Sequence, residues 1–254
     1  MPREQFLYDG TKELCDLIDR AGNKAGFGRG QAFEDFLTLT VCTLATGLME
    51  DEYLATVRKG YDKGEKGKRG IDDITQAFAR LVMLMEDNRD YLGDLFCGGI
   101  SFGQRGEFFT PDCLTNLMAE LTIDDQAQNE KVSDPCCGSG RMLLAYAAKK
   151  RPGELVGQDI DLRCVRMTAI NLALRNLYGY VLWGNSLAGE VELGYRTGFN
   201  IHGTVIRPLR PDELEHHRIV RPSESRQLPL AATHESGFAK DDAPDGPTDQ
   251  GMLF

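Results

Sequence analysis

The chain contains the heptapeptide Asp134-Pro135-Cys136-Cys137-Gly138-Ser139-Gly140. A short strand-like run at 131–133 precedes it, and the apolar-periodic run at 142–148 is typical of a helix. A glycine turn between a strand and a helix lets a ligand approach bare backbone at a helix N-terminus. A tight connection that holds no ligand would produce the same short pattern, so the turn alone leaves both interpretations open.

Further strands and helices alternate after this turn. We predict strands over 155–159 and 180–183, and helices over 139–150 and 162–177. Repeated units of this kind form a parallel sheet with helices on both faces. Asp159 ends the second strand and Gly184-Asn185-Ser186 closes the third. The sequence therefore predicts an α/β fold with a cofactor site along the carboxyl ends of the strands, although Asp159 taken alone would suggest only a solvated strand end.

The first hundred residues are predicted to be helical. The clearest helix has apolar residues at 71, 74, 77, 78, 81, 82 and 85, and others are predicted within 33–44 and 14–18. The basic, glycine-rich segment 58–70 is interpreted as a flexible solvated loop, with a phosphate-contacting loop as the alternative. One more helix, at 114–121, is predicted to begin after Pro111.

Composition restricts the function classes. The net charge of −10 is unlike that of a strong nucleic-acid binder, so any DNA contact is expected to be local or shared with a partner. No apolar run reaches the roughly 20 residues of a membrane span, and the N-terminus lacks a signal-peptide core, which leads us to expect a cytoplasmic protein. Seven cysteines without a Cys-x-x-Cys spacing indicate neither a disulfide framework nor a zinc site, and the His216-His217 pair is expected to be solvated.

The combined motifs resemble the N6-adenine DNA methyltransferases, in particular the modification subunits of type I restriction systems. The resemblance covers roughly residues 30–190 and rests on the heptapeptide together with Gly106-Glu107-Phe108-Phe109-Thr110-Pro111 and Gly157-Gln158-Asp159-Ile160-Asp161. It implies a helical N-terminal domain over 1–100 and a partial Rossmann-like domain over 101–206 that binds S-adenosylmethionine (SAM). We expect a disordered tail over 207–254.

The resemblance implies two groups of cofactor-binding residues. Thr110 and Pro111 would meet the methionine end of SAM, and Asp134, Gly138 and Gly140 would form the loop around it. No residue is assigned to a metal.

The second group would hold the adenosine part of SAM. Asp159 would bind the ribose, Ile160 would cover the adenine ring, and Asn185, where the family often has Asp, would contact the adenine. Asp161 is interpreted as the cap of the following helix rather than as a ligand.

The resemblance does not include the acceptor side of the site, which is the part that would hold the adenine to be methylated. Methyl transfer to adenine requires a flipped base held by acceptor groups, which in the family come from an Asn/Asp-Pro-Pro-aromatic tetrapeptide. No Pro-Pro dipeptide occurs in this sequence, so we expect a chain truncated before that motif and assign no catalytic residue. The first strand would then be an open edge, which we expect residues 199–206 or a partner chain to cover.

Two function classes therefore stay open. The first is a DNA adenine methyltransferase whose site is completed by a partner, with restriction-system subunits as candidates. The second is a noncatalytic regulator or decoy that binds SAM, DNA or a restriction subunit. The terminal Gln250-Gly251-Met252-Leu253-Phe254 also resembles the peptide by which bacterial replication and repair proteins dock on the sliding clamp, with an unstructured terminus as the alternative.

Overall fold

A computed structural model describes residues 4–87, 89–101, 110–124, 126, 128–198 and 205–218. The α-helices in this part of the chain are α1 (Thr11–Ala25), α2 (Arg29–Leu44), α3 (Glu50–Arg58), α4 (Gly70–Leu84), α5 (Tyr91–Leu95), α6 (Asp112–Thr122), α7 (Arg141–Lys149), α8 (Leu162–Leu174) and α9 (Pro211–His217), and a π-helix (Phe96–Ser101) follows α5 directly. The strands are β1 (Lys131–Asp134), β2 (Glu154–Asp159), β3 (Gly179–Trp183), β4 (Leu193–Thr197) and β5 (Ile206–Pro208). The predicted α/β class is confirmed.

The N-terminal helices confirm the sequence patterns that predicted them. Helices α1, α2 and α4 contain the three predicted segments, and α1 packs against both α2 and α4. The sequence did not predict α3, because Thr56 is its one buried residue and no apolar stripe marks it. Helix α2 also packs on α8, so the helical region lies directly against the sheet layer.

The basic segment 58–70 is anchored to α2 through a buried tyrosine. Tyr61 is fully buried, and its hydroxyl donates to Oδ2 of the buried Asp35 at 3.0 Å. Lys59 Nζ lies 2.5 Å from the other oxygen of the same carboxylate. Burial and the nearby Asp35 raise the pKa of the Tyr61 phenol, which therefore stays protonated. The prediction of a flexible loop is therefore wrong for the N-terminal end of segment 58–70, because Tyr61 belongs to the hydrophobic core.

The sheet has the order β1-β2-β3-β4-β5. Strands β1, β2 and β3 are parallel neighbours, which places Asp134, Asp159 and Trp183 at one end of the sheet. Strands β4 and β5 then pair antiparallel to β3 and to each other. Strands β4 and β5 therefore form an antiparallel hairpin at the side of the sheet opposite β1.

Alternate residues of the strands enter two different cores. Leu155, Val181 and Tyr195 belong to the main hydrophobic cluster, which also contains side chains of the N-terminal helices and of α8. Val156 and Leu182 belong to a small cluster on the opposite face, as the two-residue strand period requires. One apolar cluster therefore includes both the helical region and the sheet, and the division of the chain at residue 100 remains a prediction.

Strand β1 lies at the edge of the sheet and, among the described residues, pairs with β2 alone. Val205 and Ile206 lie at the opposite side, where the Val205 amide donates to Leu44 O at 3.4 Å and Ile206 pairs with Thr197. The expectation that this segment covers β1 is therefore wrong for its described end, because its hydrogen bonds are made to other elements. Residues 199–204 lie outside the described residues, and cover by a partner chain remains a prediction.

The polar C-terminal segment begins with structure. Helix α9 occupies the start of the stretch for which disorder was expected, and it has a proline in its first turn. His217 is half-buried rather than fully solvated, because its ring packs 4.6 Å from the ring of Tyr180, and this burial lowers its pKa. Residues 219–254, including the candidate clamp-binding end, lie outside the described residues. In the part of the chain that is described, no helix is long and apolar enough to span a membrane.

Replacing Tyr61 with Phe tests the anchoring of the basic segment. The substitution removes the hydroxyl that donates to buried Asp35, and an acceptor that loses its donor costs about 1–3 kcal/mol of unfolding free energy. Urea unfolding measures this loss. Tyr178→Phe is the control, because its hydroxyl meets that of Tyr180 in an exposed pair and should contribute less than about 0.5 kcal/mol. Equal losses in the two variants would contradict the anchoring role.

Candidate functional site

The glycine turn joins β1 to α7 in the predicted way. The Cys137 amide donates to Gln158 O at 2.9 Å, and the Gly140 amide donates to Cys137 O at 2.7 Å, which closes the turn against β2. Gly140 has φ 86°, in the left-handed region, and a Cβ there would lie 3.0 Å from Thr168 Cγ2. Gly140 is also the N-cap residue of α7, and since it has no side chain, the first amides of α7 receive no hydrogen bond from a capping side chain.

Asp159 connects the turn to the end of β2. Its Oδ2 accepts from the Gly138 amide at 2.9 Å, and its Oδ1 accepts from the Asp161 amide at 2.9 Å. Because a carboxylate offers about four acceptor positions, each oxygen can accept one more donor. Asp161 caps α8 by accepting from the Arg163 amide at 2.8 Å, which confirms its interpretation as a helix cap.

Asp134 adds a second carboxylate at the end of β1. Its Oδ1 accepts from the Cys136 amide at 3.1 Å. Burial raises the pKa of Asp134, and the negative charge of Asp159 raises it further, while the Cys136 amide opposes the shift. The two carboxylates thus repel each other across the strand ends, which produces a site that favours a positively charged ligand.

An apolar surface borders Asp159 on its far side. Ile160 is 71% exposed, and the Trp183 indole nitrogen donates to the Ile160 carbonyl at 2.9 Å, which holds the indole beside it. Asn185 lies after Gly184, whose amide donates to Asp159 O at 3.0 Å. The Asn185 Oδ1 accepts from the Leu187 amide at 3.0 Å. The sequence pattern did not identify Trp183 as a site residue, although its place at the end of β3 was visible.

The segment at Thr110 is connected to the turn through a buried arginine. Arg141, the first residue of α7, donates through Nη1 to Thr110 O at 3.2 Å. Pro111 is the N-cap residue of α6, as its predicted place near a helix start required. Residues 106–109 of the upstream motif lie outside the described residues.

A buried carboxylate that the sequence did not single out lies behind the turn. Asp90 is 3% exposed and accepts hydrogen bonds from Ser139 Oγ, from Arg141 Nε at 3.3 Å and from Asn171 Nδ2 at 2.9 Å. We call Asp90, Ser139, Arg141 and Asn171 the Asp90 cluster. Asp90 and Asn171 are distant in sequence from each other and from Ser139 and Arg141, so only the tertiary structure brings these groups together.

A cavity of about 640 Å³ lies next to the turn, at the free side of β1. Its lining includes Thr110, Asp134 and Cys136 from the site and Met118 and Met142 from α6 and α7. Several apolar side chains of α6 are exposed beyond it, namely Leu114, Leu117, Met118 and Leu121. Within the described residues, no three His, Cys, Asp or Glu side chains group closely enough to hold a metal ion.

The structure thus places all eight predicted residues around the carboxyl ends of β1, β2 and β3. The Gly138 to Asp159 hydrogen bond joins the two predicted groups, and Arg141 joins Thr110 to the turn. Asn185 is connected to the others through the backbone of Gly184, whose amide donates to Asp159 O. The cofactor-binding roles themselves remain predictions.

Comparison with known proteins identifies the segment that carries this site. Residues 90–194 match the family described as N-6 DNA Methylase. This segment belongs to that family. The resemblance inferred from the motifs is therefore confirmed, and the methylase segment extends from the Asp90 cluster to the beginning of β4.

Curated relatives of the methylase segment are methylase subunits of type I restriction enzymes. The MpnII methylase subunit of Mycoplasma pneumoniae is 26% identical over 179 residues, which are 65% of this chain and 31% of that protein. The MjaIX methylase subunit of Methanocaldococcus jannaschii is 32% identical over 81 residues, 29% of this chain and 14% of that protein. The chain therefore spans less than a third of the length of these relatives.

Two solved structures are more distantly similar. A protein from Listeria monocytogenes that is described as a putative class I SAM-dependent methyltransferase aligns with a TM-score of 0.47 and 17% identity over 72% of this chain and 56% of its own. A type I restriction-modification methyltransferase subunit from Streptococcus thermophilus aligns with a TM-score of 0.38 and 18% identity over 68% and 57% of the two chains.

Replacing Gly140 with Ala tests the close packing of the turn. An alanine in the left-handed region costs about 1–2 kcal/mol, and the contact with Thr168 adds overpacking of about 1–3 kcal/mol. Gly26→Ala is a matched control, because Gly26 has φ 85° and a Cβ there meets nothing within 4 Å. Urea unfolding should show a loss at least about 1 kcal/mol larger for Gly140→Ala. Equal losses would mean that Thr168 does not confine the turn.

Proposed function

We propose that this chain binds SAM at the carboxyl ends of β1, β2 and β3 and serves the methylation of adenine in DNA. The hydrogen bond from the Gly138 amide to Asp159 carries the proposal, because it joins a glycine turn at a helix N-terminus to an acidic strand end. These are the two parts that a nucleoside cofactor with a charged tail requires. The family of residues 90–194 supports the same reaction class.

The residues around the turn fit the methionine end of SAM. The amides at the start of α7 favour a carboxylate, because a helix N-terminus carries partial positive charge. Asp134 and Asp159 favour the ammonium and sulfonium charges of the same ligand. A larger residue than glycine at 140 would move against Thr168, so the turn packs as close to α8 as its backbone permits. Thr110 and Pro111 would close this end from the side of α6.

The adenosine part fits the other half of the site. Each Asp159 oxygen has capacity to accept a ribose hydroxyl in addition to its amide donor. Ile160 and Trp183 offer apolar surface for a flat base. Asn185 uses Oδ1 within its own turn, so it would meet the adenine through Nδ2. When bound, SAM would supply an activated methyl group, and these residues bind and orient it.

The acceptor side is proposed to come from a partner chain. The 254 residues contain no Pro-Pro dipeptide, and so lack the family's tetrapeptide for holding a flipped adenine. The free edge of β1 and the cavity beside it border Asp134 and Thr110, so a partner strand paired there would reach the cofactor site. The net charge of −10 also favours a partner that contributes most of the phosphate contacts. DNA is then a shared ligand, in keeping with the cytoplasmic location expected from the sequence.

A second candidate is a noncatalytic protein that binds SAM and a restriction subunit or DNA as a regulator or decoy. The absence of the tetrapeptide from the sequence favours it, while the cofactor site is the same under both proposals. The two differ in whether any partner restores methyl transfer.

Cofactor binding can be followed through Trp183, the single tryptophan of the chain. Titration with SAM should change its fluorescence, because the indole lies beside the proposed adenine site. Asp159→Asn should weaken binding at least about tenfold, which corresponds to ~1.4 kcal/mol, since an amide group presents its own N–H atoms to the Gly138 or Asp161 amide. Calorimetry provides an independent dissociation constant.

Asp161→Asn is the matched control for Asp159→Asn. It removes the same charge two residues away and retains a side chain that caps helices well. Its affinity for SAM should stay within about twofold of the original chain, because a screened charge away from the ligand contributes little. Absence of SAM binding by the original chain would refute the proposed function, and equal effects of the two substitutions would refute the ribose role of Asp159.

The requirement for a partner predicts that the purified chain does not methylate DNA by itself. Incubation with radiolabelled SAM and mixed-sequence duplex DNA should leave no label in the DNA, because no acceptor groups hold a flipped adenine. Label in adenine at a level above that of an Asp159→Asn control would show that the chain carries its own acceptor side.

A further inference from the structure

We propose that Asp90 is the positioning residue of the SAM site, holding the methionine-end residues in their binding arrangement without touching the ligand. The proposal rests on the proposed function and extends it to a residue outside every motif in the sequence. Asp90 lies in the segment before α5, whereas the turn begins more than forty residues later.

Asp90 uses its full acceptor capacity inside the protein. Its Oδ1 accepts from the Gly93 amide at 2.9 Å and from Asn171 Nδ2 at 2.9 Å, and its Oδ2 accepts from Ser139 Oγ and from Arg141 Nε at 3.3 Å. Four donors occupy the roughly four acceptor positions of a carboxylate. Because the group is 3% exposed, these donors take the place of water and make the buried charge tolerable.

Two of the four donors belong to the turn and its helix. Ser139 lies between the two glycines of the turn, and its carbonyl also accepts from Asn171 Nδ2 at 2.9 Å, so both its side chain and its backbone are held by the Asp90 cluster. Arg141 extends the same cluster to the opposite wall by donating to Thr110 O at 3.2 Å. Asp90 therefore holds both parts of the proposed methionine-end site, the turn directly through Ser139 and Thr110 indirectly through Arg141.

The packing around Gly93 shows how closely Asp90 approaches the turn. A Cβ at Gly93 would lie 2.0 Å from Asp90 Oδ2 and 2.6 Å from Ser139 Oγ. Only a glycine at this place allows the carboxylate to reach Ser139. The adenosine-end residues Ile160 and Asn185 make no hydrogen bond to the cluster in the described part of the chain.

Because the Asp90 cluster contacts the methionine-end residues and, within the described residues, makes no hydrogen bond to Ile160 or Asn185, a positioning role can be distinguished from a general effect on stability. Loss of the Asp90 carboxylate should weaken a ligand that has an amino-acid end and leave the binding of the nucleoside part unchanged. SAM and 5′-methylthioadenosine, which lacks the amino-acid end, are therefore the two probes. A substitution that merely loosens the fold would weaken both ligands by similar factors.

Asp94 provides a matched control in the same helix. It is also a buried carboxylate, but it accepts from the Leu7 amide at 2.8 Å, the Tyr8 amide at 3.1 Å and Thr11 Oγ1 at 2.6 Å. These donors belong to the N-terminal segment and not to the turn. Asp94→Asn therefore removes an equally buried charge without a direct effect on Ser139 or Arg141.

The test compares dissociation constants of the full chain, Asp90→Asn and Asp94→Asn for both probes. They are measured through Trp183 fluorescence at a temperature well below each melting transition. Asp90→Asn should bind SAM at least about tenfold more weakly, because its amide turns two donor N–H groups toward the donors of the cluster. Its affinity for 5′-methylthioadenosine, and both affinities of Asp94→Asn, should change by no more than about twofold.

Ser139→Ala supplies the same test if Asp90→Asn does not fold, since it removes one hydroxyl donor and leaves Asp90 with three others. It too should lower SAM affinity selectively. Parallel loss of both ligands in these variants, or a SAM loss in Asp94→Asn as large as in Asp90→Asn, would overturn the positioning role while the proposed function stands. Failure of the original chain to bind SAM would overturn both.

Discussion

The buried carboxylate of Asp90 is the contact on which the arrangement of the site depends. A charge that is 3% exposed must be satisfied by donors, and here the donors come from α5, the glycine turn, α7 and α8. The cost of leaving any of them unpaired fixes these four elements relative to one another. The turn is therefore held from behind by a buried polar cluster and from the side by Asp159.

Local patterns in the sequence predicted much of this fold because they reflect local physics. The apolar period of 71–85 gave α4 within one residue at each end, and the glycine turn gave the β1 to α7 connection. Helix α3 escaped prediction because Thr56 is its one buried residue. The direction of β4 and the place of β5 also escaped, because short strands carry no signal for their neighbours.

The sequence predicted the residues expected to face the cofactor better than the buried residues behind them. Six of the eight residues expected to face the cofactor lie at or just after the ends of predicted strands, where parallel topology brings them together, whereas Thr110 and Pro111 precede α6. The residues behind them were not predictable, because Asp90, Ser139 and Asn171 come from separate elements and meet only after α5 and α8 pack. Tyr61 shows the same limitation, since a basic neighbourhood conceals an aromatic ring that packs inward.

The edge of β1 that is free within the described residues lies where the proposed acceptor side of the site would be added. In the part of the chain that the structure describes, the unpaired edge of β1, exposed apolar side chains of α6 and a cavity lie on one side of the proposed cofactor site. Such an edge normally pairs with another strand, and this one borders the carboxylate of Asp134. Under the proposed function, this chain supplies the methyl-donor half of the site, and a partner supplies the groups that hold the base.

A crystal structure of the chain with S-adenosylhomocysteine bound would test this account most directly. The account predicts ribose hydroxyls within hydrogen-bonding distance of Asp159, the adenine between Ile160 and Trp183, and the amino-acid end over the turn at 138–140. Ligand density in the cavity beside β1, with Asp159 still bound only to the Gly138 and Asp161 amides, would contradict it.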